Sequence, residues 1–222
     1  MRFLLSLQQD AKLFIYIHAL LMLFRCAFLV IYSGQLGNAG AEDVAEALWL
    51  GARISLKTTA FLVGFPFVFG TIPYALWKKW PAGGIRKILG SVAVGLMTLL
   101  FMVRIPYYEI FHQGFNIMLF NGMKDDRMAI WQTAVQQYQL WPRLFGALAL
   151  MAFFIWGLIK FLETPVYYPR HHVRILDMAA VVMVPVFAVF CRFGGAFHSD
   201  SGVPWESAAR THYTVLLSLI HI

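Results

Sequence analysis

An all-α integral membrane bundle of five spans is the fold class that this sequence predicts, and three observations carry it. Apolar stretches of about 18 to 24 residues, each bounded by charges or turn residues, fill most of the chain, and ~20 such residues at 1.5 Å each cross a ~30 Å hydrocarbon core. Hydrophobic residues make up 60% of the chain, charged ones only 13%, and the mean hydropathy is +0.66. Soluble domains are roughly one-quarter charged. The cations, finally, concentrate in short loops between the stretches, as topology-setting residues do.

The spans run over Leu13–Tyr32, Ile54–Trp77, Ile88–Ile105, Leu144–Leu162 and Ile175–Phe193. Arg2 and Lys12 before the first run suggest a secretory signal. That run is too long for one, however, and lacks a small-x-small cleavage pattern, so it reads as a permanent helix. The loop Lys78-Lys79-Trp80-Pro81-Ala82-Gly83-Gly84-Ile85-Arg86-Lys87 is cationic without an acid, and the next loop on that side holds Arg170, His171, His172 and Arg174. Both read as cytoplasmic, which puts the N-terminus inside and the C-terminus outside a multi-pass cell-membrane protein. The formal charge of +7 falls in these juxtamembrane loops, so anionic lipid rather than nucleic acid is the expected partner. Cys26 and Cys191 both lie within spans, which excludes a disulfide framework or a CxxC metal site.

The outer connections carry pattern of their own. Glu42 and Asp43 open a segment whose Val44, Ala45, Leu48 and Trp49 share one side, the signature of a short amphipathic helix at the interface. The long connection between spans three and four starts with an aromatic, mixed-polarity run, Tyr107, Tyr108, Glu109, Ile110, Phe111, then Phe115 and Asn116. It suits the headgroup layer, as a second interfacial helix from Tyr107 to Asn121 with Phe111 and Phe115 on one face. Met128 to Trp141 forms a further amphipathic segment. His18 reads as a hydrogen-bonded core residue and Asp125-Asp126 as a turn or cap, since adjacent carboxylates do not face each other across a metal.

Cations on the outer side run against the positive-inside rule and are therefore informative. Arg25 lies about seven residues inside the outer end of span one; Arg53 and Lys57 open span two; Arg104 ends span three; Arg192 ends span five. One reading has these side chains snorkel and pair with Glu42, Glu46, Glu109 or Asp125. The other has them converge on the phosphate of an anionic phospholipid, for which guanidinium forks are suited.

At these positions the chain resembles the N-terminal membrane region of the lipoteichoic acid synthase and phosphoglycerol transferase family, relatives of the sulfatases and alkaline phosphatases. The resemblance rests on Leu23-Phe24-Arg25; Gly51-Ala52-Arg53-Ile54-Ser55-Leu56-Lys57; Tyr107-Tyr108-Glu109-Ile110-Phe111 with Phe115-Asn116 and Asp125-Asp126; and Arg192-Phe193-Gly194-Gly195. Where many relatives carry an acid shortly after the Gly-x-Arg, this chain has Ser55. The resemblance implies a membrane anchor that presents lipid to an extracytoplasmic head-group transferase domain with a threonine nucleophile and a divalent metal. No catalytic residue, metal ligand or cofactor is assigned within this chain, and residues 194–222 read as the start of a linker to that domain. The uncapped apolar ending Leu219-Ile220-His221-Ile222 reads like the translated edge of a sequencing adapter, with the natural chain continuing. The alternative class is a non-catalytic multi-span protein, such as a small transporter or assembly subunit, for which polar or broken helices near the midplane would speak.

Overall fold

The computed structural model describes residues 2–36, 40–77, 79–112, 140–166 and 173–198. The expected roles of Phe115, Asn116, Asp125-Asp126, His171, His172 and the chain end fall outside these residues. All regular structure among them is helical: α1 (Arg2–Ile31), α2 (Ala41–Pro66), α3 (Ile72–Leu76), α4 (Ala82–Phe111), α5 (Leu140–Glu163) and α6 (Val173–Arg192). A π-helical turn over Phe67–Thr71 joins α2 to α3 in one rod. The result is five rods long and apolar enough to cross a membrane, one for each apolar stretch of the sequence.

The rods overrun the hydrophobic segments because a helix stops where its backbone is capped, not where its apolarity fades. α1 already starts at Arg2. The amphipathic segment Ala41–Trp49 is helical but is not separate: with no proline after it, α2 continues through Gly51 into the span. It is capped at its start, where Gly40 N–H donates to Asp43 Oδ2 at 2.9 Å. Likewise no new helix begins at Tyr107. Pro106 removes one N–H from the ladder without stopping α4, which ends at His112 in the left-handed conformation (φ 50°), its N–H donating to the Tyr108 carbonyl.

α1 sits at the centre and touches α2, α4, α5 and α6, while α5 packs on α4, α4 on α2, and α2 on α6. Its inner face carries Leu13, Ile17, Leu20, Leu21, Phe24 and Phe28, all buried. Phe24 stacks on Phe101 at 4.4 Å between centroids. Lipid is as apolar as these rings, so in a bilayer the helices are held by close packing and polar pairs more than by transfer from water. Gly90 provides such closeness: a Cβ there would come within 2.9 Å of Leu13 Cδ1 and 3.2 Å of Leu158 Cδ2.

Prolines shape the second rod. Pro73 has no N–H for the carbonyl of Phe69 four residues earlier, and Trp80 Nε1 donates to that oxygen instead, at 2.8 Å. The π-turn itself closes with Ile72 N–H on the Phe67 carbonyl. Its extra residue rotates the end of the rod and turns Thr71 into the bundle, where it is fully buried.

Candidate functional site

Two polar centres lie at opposite ends of α1. Asp10 and Arg25 both belong to its buried face and, 15 residues apart, stand about 22 Å from each other along the axis.

At the Arg25 end, four of the five cations singled out in the sequence fall into two groups on opposite sides of α2. Gly51 and Ser55, one turn apart, face α1. Arg25 is fully buried there, and its Nε and Nη2 donate to Ser55 Oγ at 3.3 and 3.0 Å. Ser55 thus offers one neutral oxygen to both nitrogens. Arg104 of α4 is also buried, with its guanidinium 5.2 Å from the centre of the Phe28 ring, and its charge repels that of Arg25. Tyr32 and Tyr108 close this pocket: Tyr108 lies edge-on to Phe28 and Tyr32 at 5.1 and 4.6 Å, and Tyr32 Oη donates to the Ile105 carbonyl at 2.9 Å.

Arg53 and Lys57 sit two positions on from Gly51 and Ser55. At 100° per residue that rotates them about 200° around α2, toward α6. There α6 ends in a Schellman motif, with Gly195 N–H on the Phe190 carbonyl and Gly194 N–H on that of Cys191, both 2.9 Å. Gly194 takes φ +65°, and its carbonyl accepts a hydrogen bond from Arg53 Nε at 2.6 Å. A Cβ on Gly194 would meet the Arg53 carbonyl at 3.0 Å and Lys57 Cε at 3.4 Å, so both residues press on this turn. Arg192, two residues earlier, is exposed.

Of the residues assigned to the interface, four lie in the last turns of α4. Tyr107 and Tyr108 are buried in the last turns of α4, whereas Glu109 is exposed and pairs with Arg143 of α5 at 3.5 Å. Phe111 is the last residue of α4. His18 stacks on Phe14 at 6.2 Å, and among the described residues its Nδ1 finds no hydrogen-bond partner, contrary to the hydrogen-bonded core role expected of it.

The second centre joins Asp10, Ser6 and Thr71, which the sequence does not single out, to Arg86, which it assigns to a cationic loop and which lies instead in the first turns of α4. Asp10 of α1 and Arg86 of α4 form a buried ion pair, Nε to Oδ1 at 2.6 Å. Thr71 Oγ1 donates to the other oxygen, Oδ2, so the Ser6 hydroxyl must be the donor in its 2.7 Å contact with Thr71. Arg86 Nη2 completes the knot on Thr71 Oγ1 at 3.0 Å, Ser6 Oγ at 2.7 Å and the Ser6 carbonyl at 3.1 Å. Each oxygen of the carboxylate thus has its own donor, the condition for a buried ion pair to hold. Around it, Lys12 Nζ donates to the Thr164 carbonyl at 2.6 Å, Lys87 pairs with Glu163 at 3.1 Å, and Leu4 N–H donates to Asp177 Oδ1 at 3.2 Å. Polar bonds tie all five rods together at this end. Among the described residues, no three His, Cys, Asp or Glu side chains gather as a metal site would require.

Fold and site define the chain as a multi-pass membrane helix bundle with one ion-paired end and one cation-rich end. No family model, curated protein or solved structure matches it.

Proposed function

We propose that this chain binds the phosphate of an anionic phospholipid at the junction of α2 and α6, and serves as the membrane anchor and lipid-presenting region of an extracytoplasmic head-group transferase of the phosphoglycerol type. The observation that supports this reading is the meeting of Arg53 and Lys57 with the Gly194–Gly195 turn, two residues beyond the exposed Arg192. Three cations from two helices then border one backbone turn, while Arg25 and Arg104 are held inside the bundle. Arg53 and Lys57 are half-buried and Arg192 is exposed. Orientation follows the positive-inside rule: the Lys79–Lys87 side lies in the cytoplasm and the α6 terminus outside, where a transferase domain with its divalent metal would work on the presented head group. In this reading the chain itself supplies no nucleophile. Purified protein should bind phosphatidylglycerol vesicles in preference to phosphatidylcholine, less so at high salt because rim charges are screened over about 8 Å at physiological ionic strength, and should release no head group. Equal binding to both lipids would refute the site, and head-group release by this chain would refute the assignment of catalysis to another domain.

One observation favours a second class. A π-turn interrupts the second rod beside the buried Asp10–Arg86 pair, and broken helices with polar groups are found in transporters, although this pair lies at the end of the bundle and not at its midplane; coupled ion flux in proteoliposomes is the test.

A further inference from the structure

Among the described residues α6 packs mainly along α1 and α2, and a groove of about 410 Å³ lies between the three helices. Ala60, Gly64 and Phe67 line one wall, Phe14 another, and Met183 and Phe187 the third. The α2 wall continues the stripe of the rim cations: positions 53, 57, 60, 64 and 67 follow the four-and-three spacing of a single helical face. One face of α2 therefore carries two cations near its middle and small or aromatic residues below them. From Lys57 to Phe67 it descends about 15 Å, half of a ~30 Å hydrocarbon core and so the depth of one leaflet.

Asp10 borders the far end of the groove, but its two oxygens are occupied by Arg86 and Thr71, which leaves the wall effectively apolar. Small side chains keep the middle open. A Cβ on Gly64 would touch nothing within 4 Å, so the empty space begins at the backbone itself. Met183 and Phe187 stay largely exposed at 58% and 45%, which leaves an entrance from the bilayer.

From the shared stripe, the cationic head and the one-leaflet depth, we infer that this groove holds an acyl chain of the lipid whose phosphate lies at Arg53 and Lys57. The inference rests on the function proposed above and adds to it: specificity for the head belongs to the rim, and residence time to the groove. A soluble phosphate ester would use only the rim. A lipid uses both, and the two parts fail separately.

The test is photolabelling of the whole chain in phosphatidylcholine nanodiscs. The probe is phosphatidylglycerol with a diazirine at the end of one acyl chain, and adducts are mapped by mass spectrometry. Adducts should concentrate on residues 60–67 and 183–188. Gly64→Leu, whose Cβ would meet nothing within 4 Å and whose side chain would occupy the groove, should lower them about fivefold or more with little loss of thermal stability. Ala188→Leu, on the opposite wall, is the second variant should the first disturb the bundle. Labelling spread evenly over outward positions such as Val92, Phe153 and Trp156, or unchanged in both variants, would overturn the groove. Equal groove labelling by a phosphatidylcholine probe would leave the groove standing and overturn the anionic-head reading instead.

Discussion

Gly51 lies directly beneath the guanidinium of Arg25, so close that a Cβ at this position would come within 2.8 Å of Arg25 Cζ. Arg25 is fully buried and bonded to Ser55, so it has little room to yield. Gly51→Ala is therefore expected to destabilise the bundle by about 1–3 kcal/mol, the usual cost of overpacking. Thermal unfolding in detergent reads this, and the same substitution in an Arg25→Ala background should cost much less. An equal cost in both backgrounds would show that the glycine is needed for something other than the arginine.

The Asp10–Arg86 pair sets the stability of the opposite end. Asp10→Ala strands a buried guanidinium, at an expected cost of about 3–5 kcal/mol, whereas the double replacement Asp10→Leu with Arg86→Met should restore most of it. A double-mutant cycle by chemical or thermal unfolding measures the difference. Additive losses would mean that the two residues do not act as a pair.

Gly194→Ala puts a side chain at φ +65° and a Cβ 3.0 Å from the Arg53 carbonyl. The left-handed conformation alone costs about 1–2 kcal/mol for a non-glycine residue. Protease accessibility at the end of α6 should rise in this variant, while that of the loop between α3 and α4 should not.

The five spans are legible in the sequence because unbroken apolarity over the width of a bilayer suits a helix surrounded by hydrocarbon and little else. Leu13–Ile17–Leu20–Phe24 already marks the buried face of α1, and extending that spacing backward reaches Asp10 and Ser6. Apolarity alone starts the span at Leu13 and so leaves the acid out, and it leaves Arg86 in a cationic loop although α4 begins at Ala82. At the other end, depth along the chain places Arg25, Arg53, Lys57, Arg104 and Arg192 together. Azimuth separates them, because two residues along α2 is more than half a turn. Pro66 and Pro73 mark in the sequence where the second span is interrupted, but not that the interruption takes the form of a π-turn over Phe67–Thr71.

Orientation is tested by cysteine labelling in a Cys26→Ser, Cys191→Ser background. Phe197 and Lys79 are both exposed, at opposite ends of the bundle. A membrane-impermeant maleimide applied to intact cells is expected to label Phe197→Cys, and Lys79→Cys only after permeabilisation. The reverse pattern would invert the topology and place the α2–α6 junction at the cytoplasmic leaflet.

In the proposed function the cations of the Arg25 end divide between two tasks, with lipid recognition on the α6 side of α2 and structure on the α1 side. The most direct measurement compares, in one nanodisc assay, the affinity for phosphatidylglycerol and the melting temperature of Arg53→Gln/Lys57→Gln and of Arg25→Met. The first variant is expected to lose about 2 kcal/mol of binding, at roughly 1 kcal/mol per cation near a membrane surface, with a smaller change in melting temperature than Arg25→Met, reflecting the lost Arg53 bond to the Gly194 carbonyl. Arg25→Met is expected to shift the melting temperature and leave the affinity nearly unchanged. Loss of binding in Arg25→Met with none in the double variant would contradict this division of roles.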